Sequence, residues 1–126
     1  MDESTGALFS VDSFGALLPE PTESPDTVPP EALAGGMAGW AMADSPWAHL
    51  VDRQLFAGVL DKVRALASSR IYSAHLPAAS GASLEQFLGV LQSVPDAEPL
   101  PAPGPEEFAQ MLAALAAGPA PPAAAN

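Results

Sequence analysis

The sequence predicts an α/β fold with few strands and flanking helices, and three observations carry that reading. Two short apolar runs, ALFSV at 7–11 and RIYSA at 70–74, have the length and composition of strands. Segments with helical periodicity lie between them and after them. Each run also leads into a polar side chain, Asp12 and His75, and the intervening chain is long enough for a crossover that makes the two strands neighbours and parallel.

At 126 residues the chain is one domain at most, and its 15 prolines shrink the part that can pack. Much of the 48% hydrophobic content is alanine, which buries little area, so five Phe, two Trp and one Tyr supply the large side chains. The formal net charge is −11, and the four basic residues, Arg53, Lys62, Arg64 and Arg70, share one segment. That balance repels phosphate backbones and anionic lipid, which argues against nucleic-acid and membrane partners. With no cysteine there is no disulfide framework and no thiol nucleophile. The opening MDESTG lacks the basic and apolar regions of a signal peptide, and no apolar run approaches the roughly 20 residues that cross a bilayer, so the expected compartment is the cytoplasm.

In chain order, the polar cluster DESTG at 2–6 has the composition of a hairpin turn leading into the first strand, Ala7–Val11. The stretch LPEPTESPDTVPP at 18–30 holds five prolines, which excludes helix and central strand and leaves an acidic surface loop. Pro30 is suited to open a helix with Leu33, Met37, Trp40 and Ala41 at helical spacing, weakened by Gly35, Gly36 and Gly39 and ended by Pro46. Asp52 caps the clearest helix, Arg53 to Ala67, in which Leu55, Phe56, Val59, Leu60, Val63 and Leu66 form one apolar stripe expected to face the core. Arg70–Ala74 is the second strand, and Pro77 and Gly81 turn the chain. Ser83 with Gln86 matches a capping box for a helix carrying Leu84, Phe87, Leu88 and Leu91, stopped by Pro95. A proline-rich linker leads to a last short helix with Phe108, Met111, Leu112 and Leu115 on one face. The expected organisation is a domain over 1–94, a linker and short helix over 95–117, and a disordered tail over 118–126.

Asp12 and His75 occupy equivalent places, each where an apolar strand meets a loop, so both can face one crevice. Carboxylate and neutral imidazole are the usual ligands for zinc or iron where thiols are lacking. In this respect the chain resembles the C-terminal half of a metallo-β-lactamase-fold protein. LFSVDSFG is similar to the strand and loop that deliver the metal-bridging aspartate there, in a form close to the DAFG of flavodiiron-type proteins. YSAHLP is similar to the motif that supplies the last histidine ligand. The order of strand, acidic loop, helices, strand and histidine agrees over roughly Gly6 to Val94.

The resemblance implies a partial αββα sandwich with Asp12 and His75 as metal ligands. The complete family member would hold two zinc or iron ions and belong to a metal-dependent hydrolase or diiron oxidoreductase lineage. The family's HxHxDH segment and its further isolated histidine are absent, and His49 in WAHLVD has neither the spacing nor the strand context to replace them. Asp44 and Glu20 are further carboxylates without a supporting pattern. A catalytic zinc takes about three protein ligands and a water, so weak metal affinity and an inactive isolated chain are expected. The partners this implies are a chain that supplies the missing half, or a second copy joined along an open sheet edge. The alternative reading is a non-catalytic acidic interaction module that docks on a partner through its proline-rich loop and apolar helix faces.

Overall fold

The first strand, β1, spans Ala7–Val11, and β2 spans Arg70–Ser73 beside it in the computed structural model, which describes residues 1–98, 101 and 103–118. The two are parallel, with Leu8 opposite Ile71 and Phe9 opposite Tyr72, which bears out the expected pairing of these runs. A two-residue strand β3, Ala79–Ser80, adds antiparallel to β2, so the order is β1-β2-β3. β3 lies where a turn between Pro77 and Gly81 was expected.

Helix makes up 54% of the structure and strand only 10%, so the α/β expectation gives way to a mainly helical fold. The partial αββα sandwich of the metallo-β-lactamase type is not formed. That architecture needs two sheets packed face to face, whereas the described residues hold one small open sheet. Leu8, Ile71 and Ala79 point into the core, while Phe9 and Tyr72 stack on each other on the exposed face with ring centroids 5.3 Å apart.

Helix α1 spans Pro30–Asp44, and its first turn holds Pro30 and Glu31, where a missing N–H and a negative charge both suit the helix start. It buries Leu33 and Met37. Gly36 is required here: its carbonyl accepts from Leu17 N–H at 2.9 Å, and a Cβ would collide with the Leu17 carbonyl oxygen. Helix α2, Arg53–Arg64, starts as expected at Asp52, whose Oδ1 accepts from the N–H groups of Gln54 and Leu55, both at 2.9 Å.

The α2 stripe does not pack as one unit. Leu60 is buried and Phe56 and Val63 lie against the core, but Leu55 and Val59 are 73% and 52% exposed. Periodicity marks an apolar face; it does not say how much of that face a neighbour covers. The neighbour is α3, Leu84–Ser93, which touches both α1 and α2 and buries Leu84, Phe87 and Leu88.

The Ser83–Gln86 capping box is not made. Ser83 ends a 3-10 turn over Gly81–Ser83 and is already helical, so its side chain is not placed to cap. A second 3-10 turn, Val94–Asp96, follows α3, and Arg53 fastens it to α2 through Asp96 Oδ1 at 2.6 Å and the Pro95 carbonyl at 3.1 Å.

The N-terminal hairpin is reduced to a single bridge between Asp2 and Ala7. Helix α4, Pro105–Ala117, lies beyond the linker, and every one of its side chains is exposed. The expected disordered tail lies outside the described residues apart from Gly118. Among the described residues no helix is long and apolar enough to cross a membrane.

Candidate functional site

Asp12 and His75 meet because β1 and β2 are adjacent and parallel and both end on the same side of the molecule. Val11 is the hinge that aims Asp12. The register slips between Phe9 and Val11, and Val11 has a φ of 51°, a left-handed conformation that is uncommon for a β-branched residue. Its carbonyl is held by the Ala74 N–H at 2.8 Å and the Ser73 hydroxyl at 3.0 Å, so the end of β2 fixes the turn that carries Asp12.

His75 Nε2 lies 3.0 Å from Asp12 Oδ1, with both side chains close to half exposed. Trp40 of α1 closes the group. Its indole N–H donates to the Asp12 carbonyl at 2.8 Å, and its ring packs on the His75 ring with centroids 4.0 Å apart. Ala16 N–H donates to the His75 carbonyl at 3.1 Å. Gly15 makes this convergence possible, since a Cβ there would come within 2.5 Å of Trp40 Nε1 and 2.9 Å of His75 Cβ. Trp40 was visible in the sequence only as one apolar position of α1. The signal that could have singled it out is its size in a helix otherwise rich in alanine and glycine.

The structure therefore brings the two candidate residues together but adds no third ligand. Among the described residues, no group of three or more His, Cys, Asp or Glu side chains is placed to hold a metal ion. Asp44 sits at the end of α1, where it accepts from the Ser45 hydroxyl at 3.2 Å, and Glu20 lies in the exposed loop. His49 falls in a 3-10 turn over Ala48–Leu50 and stays exposed.

The comparisons are uniform: no family model, curated protein or solved structure matches this chain. With the sandwich and a ligand cluster both lacking from the described residues, the metallo-β-lactamase and flavodiiron resemblance is not upheld, and the hydrolase and diiron oxidoreductase readings fall with it.

His75 Nε2 faces the Asp12 carboxylate, and the neighbouring hydroxyls of Ser10 and Ser73 donate to the Tyr72 and Val11 carbonyls. What Asp12, His75 and Trp40 do together is clasp the ends of β1 and β2 to α1.

Beside this clasp a cleft of about 190 Å³ runs along the end of α1. Val51, Phe56, Leu91 and Val94 give its lining an apolar part, and Asp12, Ser13, Asp44, Ser45 and Trp47 line it as well.

Proposed function

We propose that the chain is a non-catalytic acidic interaction module that binds a basic protein partner through its apolar helix faces. The observation that carries this reading is α4. Phe108, Met111, Leu112 and Leu115 recur at helical spacing, and all four are 50–76% exposed. A stripe of this kind is the contact surface of helix-in-groove recognition, in which an amphipathic helix lays its apolar face into a groove of the partner.

Charge supports a particular partner. Helix α4 carries Glu106 and Glu107 and no cation, within a chain of net charge −11. A groove rimmed by lysine or arginine complements it, and long-range attraction speeds the encounter. The exposed Leu55 and Val59 on α2 offer a second apolar face. Self-association along the outer edge of β1 is less favourable, because the Asp2–Ala7 bridge occupies one end of that edge and the Val11 bulge the other. A cytoplasmic setting belongs to the proposal, since a chain without cysteine draws no stability from an oxidising compartment.

The test is Leu112→Glu. Because Leu112 is half exposed, the substitution leaves the unfolding free energy from urea titration within about 0.5 kcal/mol of the wild type. Proteins retained from the source cells by the wild type and lost with the variant are then purified and titrated one by one. The expected result is a basic partner whose affinity falls about tenfold or more, the scale of losing one anchor from a groove. If every retained protein binds both forms equally, the reading is wrong.

A further inference from the structure

We propose that the cleft at the carbonyl end of α1 seats one arginine side chain of the basic partner. The inference rests on the interaction-module reading and adds to α4 a second anchor of different chemistry. Size narrows the occupant first. Drug-sized ligands occupy pockets of about 300–1,000 Å³, whereas this cleft, at about 190 Å³, suits a single side chain.

The lining then selects the chemistry. Val51, Phe56, Leu91 and Val94 receive the methylene stem of a long side chain, as lysine and arginine stems commonly lie along apolar surface. Asp44, Asp12 and Trp47 also line the cleft, and Trp47 is 60% exposed. A planar guanidinium stacks on an indole face while it donates to carboxylates, and a lysine ammonium, a compact point charge, does not match both at once.

The electrostatics agree. Helix α1 ends here, so its carbonyl end adds partial negative charge to that of the two carboxylates. Among the described residues no lysine or arginine lines the cleft. Asp12 already uses Oδ1 on His75, which leaves Asp44 as the principal partner for an incoming cation.

The test is a titration of the isotopically labelled full chain with N-acetyl-arginine-N-methylamide, followed by amide shifts in two-dimensional NMR. Blocking both ends removes the carboxylate that a chain of charge −11 would repel. The expected result is saturable shifts at Ser13 and across Asp44 to Val51. The citrulline counterpart, uncharged and nearly the same shape, binds about tenfold more weakly or less. Asp44→Asn and Trp47→Ala each weaken arginine binding by about threefold, in line with exposed ion pairs and cation–π contacts. Both residues are exposed, so well-dispersed spectra of the variants verify that the fold is kept.

Equal binding of citrulline, shifts centred elsewhere, wild-type affinity in both variants or no saturable binding at all overturns the proposal. Should the partner found through Leu112→Glu bind Asp44→Asn as tightly as the wild type, the α4 reading stands and the arginine seat falls. Should the arginine titration behave as expected while no partner depends on α4, the failure lies with α4 instead.

Discussion

Trp40 contributes more to the local structure than the two residues whose chemistry first draws notice. Asp12 and His75 are a half-exposed pair, and such pairs contribute little because solvent screens them and two side chains must be ordered to make them. Trp40 supplies a hydrogen bond to the Asp12 backbone together with a large contact area. Asp12→Asn is therefore expected to change unfolding free energy by no more than about 1 kcal/mol. Trp40→Ala is expected to cost about 2–3 kcal/mol, the sum of a lost contact surface and a lost donor. Urea unfolding of both variants checks the ranking, and the opposite order would mean that the Asp12–His75 contact fastens the clasp.

A second prediction at this scale concerns acid. Hydrogen bonds from the Thr5 side chain, then from Ser4, hold the Asp2 carboxyl below its ordinary value of 3.8. Because the folded value is the lower one, the stabilisation is complete above the ordinary value and is lost as pH falls through the depressed one. The amide of Ser4, which donates to Asp2 Oδ1 at 3.0 Å, should shift in that acidic window, and Asp2→Asn should remove the transition.

The elements that were legible in the sequence are those whose ends are written locally. Pro30 with Glu31 and the Asp52 cap each mark a helix start that the structure reproduces, and the five residues of β1 are those of the apolar run. What could not be read depends on neighbours distant in sequence. The two residues of β3 carry no periodicity, and their pairing is set by where β2 lies. The half-covered face of α2 is decided by the position of α3. Of the site, the meeting of Asp12 with His75 was readable from strand order, while Trp40 and the cleft needed the packing of α1 against both strand ends.

The end of α2 offers a prediction of its own. Beyond its last turn Ala67 has a φ of 48°, a left-handed conformation that disfavours a Cβ. Ala67→Gly relieves it and should stabilise the protein by about 0.5–1 kcal/mol, net of the entropy glycine loses on folding. A lower thermal midpoint for the variant would show that Ala67 is under no such strain.

For the whole molecule, a recognisable pair of motifs was a poor guide to architecture. Two short strands with the right terminal residues fit a large sandwich and a three-stranded sheet equally well, and only the number of strands separates them. The charge acts at the same scale. With net charge −11, self-repulsion opposes compaction, and the exposed ion pairs Arg53–Asp96 and Arg64–Glu85 return little. Raising salt from about 0.01 M to about 0.15 M shortens the Debye length from about 30 Å to about 8 Å. The thermal midpoint should rise accordingly, and a fall would mean that the ion pairs outweigh the repulsion.

The parallel pairing of β1 with β2 also sets a schedule. The Ser10 hydroxyl bonds the Tyr72 carbonyl across 62 positions of chain, and parallel strands cannot close until the crossover between them exists. At about 5–20 residues per second, Leu8 and Phe9 wait on the order of 3–12 s after synthesis before their partner strand is made. Throughout that interval the hydrophobic start of the sheet is unburied on the nascent polypeptide. It is there that a chaperone has most to hold and that misassembly on crowded ribosomes has its opening.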